Sequence, residues 1–173
     1  MKIAAFSTAT GAAATQAATG VIPFTFPPHS SATFQSDWLT AAEVLYFHLH
    51  GMPDQPYWYG DKMITAIGYS QIEAACLNGP IVFVANCYGA GSLLVQALYR
   101  AGASAVVAGP GQNYTVQGAV RGADLLGKHF IDALTRGDSP DRALAYAKSK
   151  IRLRALISPI ERDALQFTIQ AKG

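Results

Sequence analysis

An α/β sandwich on a mostly parallel sheet is the fold class that the sequence predicts, and three features predict it. The runs at 44–49, 81–85 and 105–108 are almost wholly apolar and of strand length, as strands buried on both faces are. Segments with helical spacing separate them, so strands and helices alternate. The composition supplies a core: 50% of the 173 residues are hydrophobic and 14% are charged, against roughly 25% charged in ordinary soluble domains. A chain of this length buries most of its apolar surface without disulfides or metals, and no linker or repeat divides it, so residues 1–173 are expected to form one domain.

Residues 2–7 read as a first strand, followed by a small-residue stretch at 8–20 and an apolar run at 21–26 that Pro27 and Pro28 close. A short helix is expected at 37–43 and a strand at 44–49, which Gly51 ends before a Pro- and aromatic-rich loop at 52–61. Ile64, Ile67, Ile72 and Ala75 suggest a helix over 63–77, with Asn78, Gly79 and Pro80 as its stop. A strand at 81–85, a helix at 92–100 stopped by Gly102 and a strand at 105–108 form a strand-helix-strand unit. Helical spacing returns at 116–134. Ser139 followed by Pro140 is an N-cap with proline at the first position, opening a helix that reaches 157. Leu165, Phe167 and Ile169 alternate with polar residues, as on an edge strand. Such an edge can pair with a second copy of the chain.

A net charge of +2 without a long basic run argues against a nucleic-acid surface, and the basic residues Lys148, Lys150, Arg152 and Arg154 spread around a helix. Two cysteines, Cys76 and Cys87, show neither a zinc spacing nor a disulfide framework, so no metal and no cofactor are expected. The first twenty residues have a single Lys and a broken apolar stretch, and read as mature protein rather than a leader. No run approaches the roughly 18 apolar residues of a membrane span, so a cytoplasmic protein without membrane contact is expected.

The chemistry-bearing residues end two of the strands. In parallel sheets reactive groups gather beyond the carboxyl ends of the strands. His50 and Gly51 end one run, Asn86 and Cys87 end the next, and one helix is expected between them, so a right-handed crossover makes the two ends neighbours. A cysteine just before a helix start meets unsatisfied N–H groups, which stabilise a thiolate. An imidazole that titrates near neutral pH can take the thiol proton or protonate a leaving amine. The amides of Gly51 and Cys87 can together form an oxyanion hole. Acyl transfer through a thioester is the chemistry this set suits. Cys76 reads as a packing residue inside a helix, and His48 as a core residue on the same strand face as His50.

The segment VLYFHLHG, followed some thirty residues later by PIVFVANCYGAG, resembles the hallmark of the caspase-like cysteine peptidases, which include gingipains, clostripain, legumain, metacaspases, separase and CHAT domains. The continuation ALYRAGASAVVAG and GKHFIDALTRGDSPDRALAYAK is similar to the CHAT and gingipain pattern. This resemblance, over about 44–169, implies a three-layer sandwich with a sheet of about six strands and helices on both faces. It implies a cysteine endopeptidase acting on protein or peptide substrates through a His50/Cys87 dyad, with Gly51 beside it. Metacaspases and clostripain carry an acidic residue two positions before the cysteine; here Ala85 stands there, which does not support Arg or Lys specificity.

Substrate-binding candidates lie in the loops beside the dyad: Asp54, Tyr57, Trp58, Tyr59 and Asp61 after His50, and Gln112, Asn113 and Tyr114 after the next strand. Glutamine amidotransferases and papain-like enzymes place their histidine after the cysteine, and the only later one, His129, falls inside a helical pattern. Gly89-Ala90-Gly91 lacks the third glycine of a dinucleotide loop. A catalytically silent scaffold of the same fold, working with a regulatory protein partner, is the non-enzymatic alternative.

Overall fold

The computed structural model describes residues 1–114, 116 and 119–170. Its centre is a six-stranded sheet. The strands are β1 (Ile3–Thr8), β2 (Phe24–Phe26), β3 (Val44–His48), β6 (Ile81–Val84), β7 (Ala105–Ala108) and β8 (Thr168–Ile169), and they lie in the order β2-β1-β3-β6-β7-β8. Only β8 runs antiparallel to its neighbour. A separate hairpin pairs β4 (Tyr57–Tyr59) with β5 (Thr65–Gly68).

Alternation along the central strands makes two cores. Leu45, Phe47, Val82 and Val84 face one layer, which holds α2 (Asp37–Thr40), α3 (Tyr69–Glu73), α4 (Leu93–Ala101) and the hairpin. Val44, Tyr46 and Phe83 face the other, which holds α1 (Ala12–Thr19), α5 (Gly122–Thr135), α6 (Pro140–Ala155) and α7 (Pro159–Ala164). The fold is thus a three-layer sandwich. The caps act as their residues suggest: Ser92 accepts the Val95 N–H at 3.3 Å to open α4, and Ser139 with Pro140 opens α6.

Four elements differ from the sequence reading. The stretch 8–20 contains a helix, α1, because alanines and threonines pack closely on the sheet although they give no apolar period. The expected helix over 63–77 is a strand followed by a five-residue helix: Lys62 and Met63 take positive φ, which breaks any helix there, and Ile67 instead points into the core from the hairpin. Cys76 lies beyond α3, exposed and with φ of 47°, so it is not a buried packing residue. The helix expected over 116–134 begins at Gly122, and Thr115, Gln117 and Gly118 lie outside the described residues. The run at 165–169 pairs only at its last two residues, since α7 occupies 159–164.

A buried polar group ties the sheet to α5. Tyr46 donates to Asp124 Oδ1 at 2.8 Å, and His48 Nδ1 lies 3.0 Å from the same oxygen and 3.0 Å from Thr15 Oγ1. Burial, then the Asp124 charge, hold the Tyr46 phenol well above its usual range. Asp124→Ala leaves this group without its acceptor, and we expect it to lower the unfolding free energy by about 3–5 kcal/mol in urea denaturation.

Arg121 fixes the start of α5 to α7. It donates through Nε and Nη2 to the buried Glu161 carboxylate. The Arg121 hydrogen bonds hold the Glu161 pKa down to about 2 from 4.5, against the opposing effect of burial. A depressed carboxylate pKa stabilises the fold fully above the unfolded value and loses that contribution as pH falls through the folded one. Stability measured against pH should therefore fall between 4.5 and about 2, and Glu161→Gln should remove that slope.

Candidate active site

The register of β3 on β6 sets the site. Phe47 pairs with Val84, and His50 and Cys87 each stand three positions beyond that last pair. The Ala85 N–H continues the ladder to the Phe47 carbonyl at 2.7 Å. Asn86, 1% exposed, then accepts the Leu49 N–H on Oδ1 at 2.7 Å, a side chain acting as the next rung. This contact fixes the amide orientation, because an inverted Asn86 would set its NH2 against the Leu49 N–H. Asn86 Nδ2 is buried and has no hydrogen-bond partner among the described residues.

The His50 backbone is held from the other side. Its N–H donates to the Tyr59 carbonyl at 2.7 Å and its carbonyl accepts the Tyr59 N–H at 2.9 Å. Gly51 then passes so close to Cys87 that any Cβ at position 51 would overlap the Cys87 carbonyl oxygen. A glycine is required there for space.

Cys87 does not lie at a helix start. The N-cap of α4 is Ser92, five residues on, and Tyr88 between them takes φ of 52°. The thiol instead meets Asn113: the Asn113 N–H reaches Sγ at 3.2 Å and the Asn113 carbonyl accepts from it at 3.3 Å. Asn113 Nδ2 also donates to the Asn86 carbonyl at 2.8 Å. Tyr88 N–H to Gly111 O at 2.8 Å and Ala90 N–H to Gly109 O at 2.9 Å bind the cysteine loop further to the loop after β7.

His50 and Cys87 line one cleft of about 190 Å³. Ala85, Asn113 and Tyr114 line it too, as do His48 and Leu49 from β3 and its end, and Thr8 and Thr10 from the end of β1. The two threonines escaped the sequence reading. Their signal is topological: β1 pairs with β3 through Ser7 and His48, so its end reaches the same rim, but strand order is not written in residue types. His48 belongs to both the cleft and the buried group around Asp124.

The remaining candidates lie elsewhere. Trp58 is a correction: at 2% exposed it packs on Phe47, with ring centroids 4.9 Å apart, as a core residue of the hairpin. Asp54 is exposed, with φ of 57°, beside Tyr88 and Ser92. Asp61 does not line the cleft but accepts the Thr10 N–H and hydroxyl at 2.9 and 2.7 Å. No group of three His, Cys, Asp or Glu side chains suited to a metal occurs among the described residues. No described helix is long and apolar enough to cross a membrane.

No family profile and no curated protein sequence matches the chain. Solved structures do. The Arg specific cysteine proteinase gingipain R is similar with a TM-score of 0.63 at 12% identity, over 98% of this chain and 46% of that one. A secreted C11 cysteine protease from Bacteroides thetaiotaomicron, solved with an irreversible peptide inhibitor, is similar with a TM-score of 0.53 at 12% identity, over 88% of this chain and 59% of that one. The chain therefore spans about half the length of both neighbours and has the fold of the caspase-like cysteine peptidases.

Forcing a methyl group against the Cys87 carbonyl tests the packing of the two loops. Gly51→Ala should destabilise the protein by about 1–3 kcal/mol, read as a shifted denaturation midpoint with an unchanged slope.

Proposed function

We propose that the protein is a cysteine endopeptidase in which Cys87 is the nucleophile and His50 the general acid and base. The observation that carries this reading is the level placement of the two residues beyond the paired ends of β3 and β6, on one cleft. The fold shared with two cysteine proteases supports it.

In this reading the Cys87 thiol gives its proton to His50 as the sulfur attacks the scissile carbonyl of a protein or peptide. Negative charge moves to the carbonyl oxygen, which the amides of Gly51 and Cys87 receive. The tetrahedral intermediate collapses as His50 protonates the leaving amine, and a thioester remains on Cys87. Water, deprotonated by His50, attacks that thioester and restores the thiol. The Asn113 N–H and carbonyl, at 3.2 and 3.3 Å from Sγ, orient the thiol in the cleft. The open edge of β8 offers a second copy of the chain a strand to pair with.

A peptidyl acyloxymethyl ketone tests the assignment. Intact-mass and peptide mapping should show one adduct, on Cys87, absent in Cys87→Ala and formed about 100-fold to 10,000-fold more slowly in His50→Ala. Modification of the exposed Cys76 with Cys87 untouched would instead favour the silent scaffold.

A further inference from the structure

One wall of the cleft carries polar contacts that the acyl-transfer steps do not use. Thr10 gives its hydroxyl hydrogen to Asp61 Oδ1 at 2.7 Å and its N–H to Oδ2 at 2.9 Å. A threonine hydroxyl has one hydrogen, so Thr10 Oγ1 meets the cleft only with lone pairs. Thr8 Oγ1 accepts the Gly11 N–H at 2.9 Å and lies 3.3 Å from Thr10 Oγ1. With the Thr10 hydrogen committed to Asp61, Thr8 is the donor in that contact. The two hydroxyls therefore point in series toward one carboxylate, and the wall is a row of acceptors backed by negative charge. No Lys or Arg is among the described lining residues.

We infer, resting on the peptidase reading, that Thr8, Thr10 and Asp61 make this cleft select substrates whose P1 side chain, on the acyl side of the scissile bond, carries hydrogen-bond donors. Amide and ammonium groups are accepted. Carboxylates are rejected, because they would set lone pairs against lone pairs and a second charge close to Asp61. A space of about 190 Å³ amounts to roughly six waters at about 30 Å³ each, room for a side chain of glutamine or lysine length. Asp61 is a positioning residue that acts through Thr10. It accepts the two Thr10 donors on separate oxygens, and an asparagine has only one acceptor oxygen to place. In Asp61→Asn the single carbonyl oxygen goes to the Thr10 N–H, whose direction is fixed, while Nδ2 donates to Thr10 Oγ1. The Thr10 hydroxyl hydrogen then turns to Thr8 Oγ1 or to the cleft, and in either case one of the two hydroxyls gains a hydrogen to offer, so the wall no longer presents acceptors alone.

Three pairs of peptide substrates matched in shape at P1 test this: Asn against Asp, Gln against Glu, and Lys against norleucine, compared by kcat/KM. The wild type should prefer the donor-bearing member of each pair by about tenfold or more, and Asp61→Asn should lower every ratio by at least about fivefold. Asp61→Glu, which keeps two acceptors, should restore them. Thr10→Val removes the hydroxyl without changing its shape and should lower the ratios as well, which covers the case in which Asp61→Asn fails to fold. The inference is overturned if carboxylate or norleucine substrates are cleaved as well as their partners, or if the ratios survive both substitutions. Cleavage with the reverse preference would remove this inference and leave the peptidase reading intact. No cleavage of any of the six, together with no adduct on Cys87 from the ketone probe, would remove both.

Discussion

The hydrogen bond from the Leu49 N–H to Asn86 Oδ1 is the constraint on which the site depends. The β3 and β6 ladder ends at the Ala85 N–H, one residue before the chains must leave the sheet to expose reactive side chains. Asn86 supplies the missing rung from a side chain, and its backbone carbonyl is in turn held by Asn113. One residue thus fixes the level of the His50 loop, the Cys87 loop and the loop after β7. Contact between Gly51 and the Cys87 carbonyl closes the same seam.

Around this seam the fold divides its work. The layer with α5 holds a buried hydrogen-bonded group, Tyr46, Asp124 and His48, that reaches the cleft through His48. The opposite layer contributes the β4 and β5 hairpin, whose Tyr59 grips the His50 backbone and whose Trp58 fills the core beneath it. The end of β1 adds Thr8 and Thr10, oriented by Asp61. The backbones beside His50 and Cys87 are thus held from several directions, His50 by Tyr59 and the Cys87 loop by Asn113, Gly111 and Gly109.

How much of this could be read in the residues follows from which physical signals are local. Strands 44–48, 81–84 and 105–108 are buried on both faces and were visible as almost wholly apolar runs; the Ser139-Pro140 helix start was visible from capping chemistry, and the helix after Cys87 from its spacing and the Gly102 stop. His50 and Cys87 stood out because each ends such a run. The hairpin was not legible, because Ile64, Ile67 and Ile72 imitate a helical period while the positive φ of Lys62 and Met63 has no sequence marker. Helix α1 was hidden by small residues. Trp58 looked like a cleft residue because an aromatic loop and a core strand share one composition. Thr8, Thr10 and the bridging role of Asn86 depend on strand order and long-range contact, which residue type alone does not carry.

The covalent intermediate is the most direct measure of the central claim. Mixing the protein with a cleavable peptide ester, quenching in acid within the first turnover and measuring intact mass should show the protein carrying the acyl half of the peptide. That mass should map to Cys87, be released by hydroxylamine and be missing in Cys87→Ala. Turnover of the ester with the acyl group absent from Cys87, or carried by another residue, would contradict the account.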